Sequence, residues 1–101
     1  MGIFNVLFGK KTDFKELVKR GALIIDVRTP GEYATGHVKG SKNIPLDQLD
    51  KHIDALKKDG KPVIACCRSG ARSGAAVSRM KAAGIEAYNG GPWDSLDAQL
   101  G

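Results

Sequence analysis

The sequence predicts a three-layer α/β domain with a mostly parallel sheet. Two short apolar runs, at 22–27 and 63–67, are uninterrupted rather than alternating, which is typical of strands covered on both faces. Segments with helical periodicity separate these runs, and no short turn of the kind that joins hairpin strands occurs. Alternating strands and helices favour parallel strands joined by crossovers, with helices on both faces of the sheet.

The first half of the chain supplies a helix, a strand and a turn. Segment 12–20 is expected to be helical, because Asp13 and Glu16 resemble a capping box and Gly21 suits the C-terminal stop. The strand 22–27 follows and delivers Asp26 and Arg28 at its carboxyl end. A helical turn is expected at 32–36 and a short strand near 43–44.

The second half repeats the alternation. Leu46, Leu49, Ile53 and Leu56 recur at helical spacing after Pro45, which predicts one helix there. The strand 63–67 leads into a helix at 72–83 with a small inward face. A last strand at 85–88, a turn at 89–92 and a helix at 93–100 complete the chain.

Length and composition indicate one modest globular domain. The chain has 101 residues, of which 42% are hydrophobic and 27% are charged. We assign residues 12–101 to the domain and residues 1–11 to an N-terminal segment. That segment is apolar up to Phe8 but too short to be a firm membrane anchor, so we expect it to pack on the domain or to fray.

Charge and aromatic content argue against a nucleic-acid-binding role. The net charge of +5 comes from lysines and arginines spread along the chain. The aromatic residues are scattered from Phe4 to Trp93 and form no stacking platform. We therefore expect no nucleic-acid partner.

The two cysteines, Cys66 and Cys67, are adjacent, so they cannot form a disulfide framework. His37 and His52 do not stand at a zinc-motif spacing to the pair, and no metal site or cofactor is predicted. Paired free thiols suggest a reducing compartment, which makes a cytoplasmic location the expectation.

The stretch after strand 63–67 carries the chemistry. A cysteine reacts as its thiolate, which a helix N-terminus and nearby positive charges stabilise. Arg68 and Arg72 supply positive charges, and Gly70 permits a tight loop whose backbone N–H groups point inward. The sequence therefore predicts a reactive cysteine and an anion-binding loop.

The register of the loop leaves two interpretations open. Counted from Cys67, Arg72 completes a Cys-x4-Arg pattern; counted from Cys66, the same arginine and Ser73 complete Cys-x5-Arg-Ser. Successive side chains on a strand point to opposite faces, so only one cysteine can face the loop. The residues alone are therefore compatible with either Cys66 or Cys67 as the reactive cysteine.

The chain resembles a single-domain rhodanese, a sulfurtransferase, over about seventy residues. The resemblance rests on ordered motifs: Ile25-Asp26-Val27-Arg28-Thr29-Pro30-Gly31-Glu32-Tyr33, Gly36-His37-Val38-Lys39-Gly40-Ser41, Asn43-Ile44-Pro45-Leu46, Cys67-Arg68-Ser69-Gly70-Ala71-Arg72-Ser73, and Gly90-Gly91 with Trp93. Family members often begin with a further strand, so the resemblance implies a rhodanese-like sheet of four or five strands.

The resemblance implies that Cys67 is the nucleophile and that Arg68, Ser69, Gly70, Ala71, Arg72 and Ser73 bind the substrate anion. The implied reaction moves a sulfane sulfur from thiosulfate or another persulfide donor to a thiol, a protein acceptor or cyanide, through a Cys67 persulfide. Asp26, Arg28 and His37 match positions that are mainly structural in the family, and Arg28 is expected to pair with a carboxylate such as Glu32. We expect a monomer.

Two alternatives remain. One is a rhodanese-fold cysteine phosphatase or arsenate reductase that uses the longer loop from Cys66, although Ala65 and Ser69 depart from the usual phosphatase pattern. The other is a non-catalytic rhodanese-like module that binds a partner or senses oxidants. The intact cysteine and anion loop favour an enzyme over such a module.

Overall fold

The computed structural model describes residues 12–101. The N-terminal segment 1–11 assigned from the sequence lies outside the described residues. Helices and strands alternate along the described chain, as the sequence predicts. Their bounds are α1 Phe14–Lys19, β1 Leu23–Asp26, α2 Pro30–Ala34, β2 Lys42–Asn43, a 3₁₀ helix Leu46–Lys51, α3 Ile53–Asp59, β3 Val63–Cys67, α4 Ala71–Ala82, β4 Ala87–Pro92 and α5 Trp93–Leu100.

The strands form one parallel sheet in the order β2-β1-β3-β4. Strand β3 lies at the centre and is buried along its whole length. In the register of β1 and β3, Asp26 lies beside Cys66. The carboxyl ends of β1 and β3 therefore meet at the same edge of the sheet, where the reactive loop was expected. Within residues 12–101 the sheet has four strands, the smaller of the two expected numbers.

Helices cover both faces of the sheet, which confirms the three layers. On one face Leu17 of α1 and Leu96 of α5 pack in a cluster with Ile24 and Ile64. On the other face residues of the 3₁₀ helix, α3 and α4 pack in a second cluster with Ile25 and Val63. Because both faces of β1 and β3 are buried, their sequences are continuously apolar.

Local hydrogen bonds explain where the first two helices begin. Asp13 caps α1 by accepting a hydrogen bond from the backbone N–H of Glu16 at 3.1 Å. Thr29 and Glu32 form a complete capping box, and Pro30 occupies the first turn of α2. The helical turn expected at 32–36 therefore begins at Pro30 and ends at Ala34.

The single helix expected after Pro45 is divided at His52. Its first part is a 3₁₀ helix, closed by the backbone N–H of His52 donating to the carbonyl of Leu49 at 2.8 Å. The α-helix α3 then begins, with Leu56 donating to the carbonyl of His52 at 3.0 Å. Leu46 and Leu49 are three residues apart, a spacing that both helix types satisfy, so the periodicity could not separate them.

The last strand differs from the prediction. Residues 89–92, expected as a turn, belong to β4 and pair with β3, whereas Ile85 lies before the strand. The pairing shifts register between Ala65 and Cys66, so that Gly90 is an extra residue in β4. A Cβ on Gly90 would lie 2.9 Å from Ile64 and 3.1 Å from the carbonyl oxygen of Ala65. Glycine here serves close packing rather than a turn.

Candidate active site at the carboxyl end of β3

The loop between β3 and α4 is a tight connection of three residues, Arg68 to Gly70. Cys67 ends β3, and α4 begins at Ala71. Gly70 is the N-cap of α4 and has a φ of 99°, in the left-handed region that disfavours other residues. The requirement for glycine at this point, expected from the sequence, is confirmed.

The loop directs three polar groups at the sulfur of Cys67. The backbone N–H groups of Gly70 and Ser73 donate to Sγ at 3.0 and 3.4 Å. The hydroxyl of Ser73 lies 3.3 Å from the same sulfur. Cys67 and Ser73 are both fully buried. The sulfur is therefore held at the start of α4 in the arrangement that stabilises an anion.

These contacts change the pKa of Cys67. Burial by itself raises the pKa, but hydrogen bonds from the Ser73 hydroxyl and from the N–H groups of Ser73 and Gly70 outweigh it. The pKa of Cys67 therefore lies below its ordinary value. A larger fraction of this thiol is ionised near neutral pH than in an ordinary cysteine.

The other cysteine faces away from the loop. Cys66 packs with Ile64 and Leu96 on the face of the sheet that α1 and α5 cover, whereas Cys67 belongs to the cluster on the α4 face. Burial, and next the charge of Asp26, raise the pKa of Cys66 to about 12. The geometry does not support a phosphatase-type loop counted from Cys66, because that sulfur lies on the wrong face of the sheet.

The two loop arginines have different surroundings. Arg72 donates to both carboxylate oxygens of Glu32, at 2.7 and 3.0 Å, and its side chain is about one-third exposed. Arg68 is exposed, and within residues 12–101 it has no ion-pair partner. Of the two positive charges expected at the loop, that of Arg72 is therefore paired with Glu32, whereas Arg68 is exposed next to Cys67 in the chain.

Arg28 holds the neighbouring segment together, but through a different partner from the one expected. Its guanidinium donates to both oxygens of Asp26, the shortest contact being 2.7 Å. From Glu32 it contacts the backbone carbonyl at 3.2 Å and not the carboxylate. Asp26 is buried together with Arg28, whereas Glu32 is partly exposed, so the buried carboxylate pairs with the guanidinium.

Arg28 has two further contacts, and His37 is held by Tyr33. Arg28 also donates to the carbonyl of Gly36 at 2.6 Å and lies over the ring of Trp93, 5.0 Å from its centroid. His37 stacks on Tyr33 with a centroid distance of 3.8 Å and contacts the Tyr33 carbonyl through Nδ1 at 2.8 Å. Both of these contacts are with Tyr33, and neither involves the sulfur of Cys67.

Two residues of the site were not singled out as site residues from the sequence. Glu32 holds Arg72 across forty positions of the chain, and Asn89 accepts a hydrogen bond from the Ser73 hydroxyl at 2.7 Å. The spacing of Thr29 and Glu32 is typical of a capping box, so the sequence indicated a structural role for Glu32. No pattern indicated a role for Asn89, because a polar residue beside two glycines is typical of a turn.

Two structural features are absent from the part of the chain that the structure describes. No group of histidine, cysteine and acidic side chains among residues 12–101 is arranged to hold a metal ion. No helix in the same range has the length and apolar character needed to cross a bilayer.

Comparison with known proteins agrees with the resemblance seen in the motifs. The model of the Rhodanese-like domain family matches residues 10–91. Uncharacterized protein YqhL of Bacillus subtilis is 42% identical over 71 residues, which cover 69% of this chain and 56% of that protein. Thiosulfate sulfurtransferase GlpE of Ectopseudomonas mendocina is 32% identical over 76 residues, covering 74% of this chain and 69% of that protein.

The chain spans about half the length of the first two curated relatives that it matches. Among solved structures, reduced Bacillus anthracis CoADR-RHD superposes with a TM-score of 0.72 and 31% identity, covering 87% of this chain and 16% of that one. A rhodanese with anions from E. coli gives a TM-score of 0.67 and 32% identity, covering 73% of this chain and 89% of that one. By motif, fold and family match, this chain belongs to the rhodanese-like domain family.

Proposed function

We propose that the protein is a sulfurtransferase that carries a sulfane sulfur on Cys67. The observation that carries this proposal is the buried Cys67 sulfur, which accepts hydrogen bonds from the Gly70 and Ser73 N–H groups at the start of α4. The similarity to thiosulfate sulfurtransferases named GlpE supports the same reaction class. The proposed donor is thiosulfate or another persulfide, and the acceptor is a thiol, a protein thiol or cyanide.

The first half-reaction loads the enzyme. The Cys67 thiolate attacks the outer sulfur of thiosulfate and forms a new S–S bond. The original S–S bond of thiosulfate breaks, and sulfite leaves with its electron pair. The lowered pKa of Cys67 supplies the thiolate that this step requires.

The second half-reaction regenerates the thiolate. An acceptor thiolate attacks the outer sulfur of the persulfide, and the Cys67 sulfur leaves with the electron pair of the broken bond. The loop N–H groups stabilise the negative charge that returns to Cys67. Sulfite and thiolates are weakly basic leaving groups, so neither half-reaction needs a general acid in the loop.

The charges around the loop suit an anionic donor. Arg68 is exposed and without an ion-pair partner among residues 12–101, so its guanidinium is the group available to attract thiosulfate. Arg72 is already neutralised by Glu32 and is assigned mainly to holding the loop against α2. We include a cytoplasmic location in the proposal, because both cysteines are free thiols.

Incubation with thiosulfate followed by intact mass measurement tests the proposal. The protein should gain one sulfur atom, Cys66→Ala should retain that gain, and Cys67→Ala should abolish it. Addition of cyanide to the loaded protein should remove the sulfur and release thiocyanate. The matched pair of cysteine variants assigns the sulfur to one position in the chain.

The remaining outcomes separate the alternatives. Loss of loading only in Cys66→Ala would reverse the assignment of the nucleophile. Phosphatase or arsenate reductase activity without sulfur loading would favour the other enzyme class. If wild-type protein neither loads sulfur nor shows those activities, the enzyme proposal fails and the partner-binding module is favoured.

A further inference from the structure

The Ser73 hydroxyl has one hydrogen and two acceptors within reach. Its oxygen lies 3.3 Å from the sulfur of Cys67 and 2.7 Å from Oδ1 of Asn89. A hydroxyl can donate to only one of them at a time. Ser73 is fully buried, so water does not compete freely for this hydrogen.

The amide of Asn89 is fixed by two further hydrogen bonds. Its Oδ1 accepts from the backbone N–H of Gly91 at 2.9 Å, and its Nδ2 donates to the carbonyl of Gly70 at 3.1 Å. Exchange of the amide oxygen and nitrogen would place donor against donor at Gly91 and acceptor against acceptor at Gly70. The group that faces Ser73 is therefore the oxygen.

The pairing of β4 with β3 explains why an asparagine can occupy this place. Asn89 pairs with Ala65, whose side chain lies on the α4 face. The side chain of Asn89 consequently reaches the first turn of α4 while much of it remains exposed. Substitution of Asn89 removes hydrogen bonds without opening a cavity in the core.

We propose that Asn89 is a positioning residue that controls the direction of the Ser73 hydroxyl and so the ionisation of Cys67. While Cys67 is a neutral thiol, the hydroxyl donates to Asn89, and the thiol donates its own hydrogen to the Ser73 oxygen. When the thiol loses its proton to solvent, the hydroxyl turns and donates to the thiolate instead.

The competition has a definite sign. Asn89 stabilises the neutral state, because that state keeps the hydrogen bond between Ser73 and Asn89. The thiolate state gives up this bond. Removing the Asn89 acceptor removes the cost of turning the hydroxyl, so ionisation of Cys67 becomes easier. Asn89 thus opposes the ionisation of Cys67, which the other hydrogen bonds of the loop favour.

The consequence for sulfur transfer rests on the proposed function, since it requires Cys67 to be the sulfur carrier. The ionisation of Cys67 can be measured without any sulfur donor. The rate of alkylation by iodoacetamide as a function of pH reports the thiolate, whether or not thiosulfate loads the protein. Failure of the Asn89 proposal is therefore distinguishable from failure of the sulfurtransferase proposal.

The experiment compares four forms of the full chain in a Cys66→Ala background, so that all alkylation belongs to Cys67. These are the background itself, Asn89→Ala, Ser73→Ala and the double variant. Asn89→Ala should move the midpoint of the pH profile to lower pH and raise the rate below the midpoint about two- to threefold. In the Ser73→Ala background the same change should have no effect on the midpoint.

Two further variants complete the design. Asn89→Leu, of similar size and without hydrogen-bonding groups, should behave as Asn89→Ala does. Gln99→Ala removes an exposed amide on α5 and should leave the profile unchanged. An unchanged midpoint in both Asn89 variants would overturn the proposal. An equal shift with and without the Ser73 hydroxyl would also overturn it, because the effect would then pass through the Gly70 carbonyl.

Discussion

Cys66 and Cys67 are neighbours in the chain, but their side chains lie on opposite faces of the sheet. Cys67 faces α4 and the loop, and Cys66 lies among Ile64 and Leu96 beneath α1 and α5. The alternation of a strand thus separates a thiol whose pKa is lowered from a thiol whose pKa is raised. The difference arises because hydrogen bonds favour the thiolate of Cys67, whereas burial and the charge of Asp26 disfavour the thiolate of Cys66.

This separation predicts the behaviour of the two single variants toward iodoacetamide at neutral pH. Cys66→Ala should be alkylated at nearly the wild-type rate, and Cys67→Ala should be almost unreactive, because burial raises the pKa of Cys66 to about 12. Cys66→Ala should also lower the free energy of unfolding by about 1 kcal/mol through the small cavity it leaves. Intact mass and urea unfolding measure the two effects, and rapid alkylation of Cys67→Ala would contradict the assignment.

The Arg72–Glu32 pair predicts a pH dependence of stability. The hydrogen bonds from Arg72 lower the pKa of Glu32 to about 2. A carboxylate with a depressed folded-state pKa contributes stability above its unfolded pKa and loses it as pH falls through the folded value. The difference in free energy of unfolding between wild type and Glu32→Gln should therefore be constant above about pH 5. It should decrease progressively to zero as the pH falls from about 4.5 to about 2.

Urea unfolding at a series of pH values checks this prediction. Asp97→Asn is the control, because Asp97 is an exposed carboxylate that has no ion pair within residues 12–101. Its difference from wild type should not follow the same acid profile. A Glu32→Gln difference that persists unchanged to pH 2 would show that the pair does not depend on the carboxylate charge.

The buried Asp26–Arg28 pair predicts a large loss of stability on substitution. Arg28→Met leaves the Asp26 carboxylate fully buried without its partner, and removal of one member of a buried pair costs about 3 to 5 kcal/mol. Arg20→Met removes the exposed pair with Glu86, in which both side chains are at least 42% exposed, and should hardly change the unfolding midpoint. Urea unfolding measures the free energy of unfolding of both variants. Similar losses in the two would contradict the prediction.

The close packing of Gly90, the extra residue of β4, predicts that a side chain at this position destabilises the fold. A Cβ there would lie 2.9 Å from Cγ2 of Ile64 and 3.0 Å from Cδ2 of Leu96, both in the core. Gly90→Ala should therefore lower the free energy of unfolding by about 1 to 3 kcal/mol. Gly31→Ala is the matched control, because its Cβ would meet no atom within 4 Å and its helix α2 favours alanine. Thermal unfolding should show a lower midpoint for Gly90→Ala alone.

The structure also shows where the sequence patterns lost their predictive value. The helix after Pro45 was correctly placed, but its change of type at His52 was missed because 3₁₀ and α turns share a three-residue spacing. The strand at the end of the chain was predicted too early, since Gly90 and Gly91 are typical of a turn. Gly91 instead pairs with Cys66 of β3, and Gly90 packs closely against Ile64 and Leu96; both contacts are between distant segments, which no local pattern contains.

The sequence by itself determined the layered α/β fold and the position of the reactive loop. Continuous apolar strands, helical spacing and a glycine between Cys67 and α4 are local features, and they encode local structure directly. Side-chain alternation also required one cysteine to face away, and the motif order favoured Cys67 as the residue that faces the loop.

Only the tertiary structure decided which side chains meet around the sulfur. Glu32 neutralises Arg72 from forty residues away, and Asn89 reaches Ser73 because β4 lies beside β3 and pairs Asn89 with Ala65. Such contacts depend on how strands pair and where crossovers place the helices, which involves interactions between distant segments. The charge left free at the loop and the hydrogen bonds of its serine are therefore properties of the folded chain.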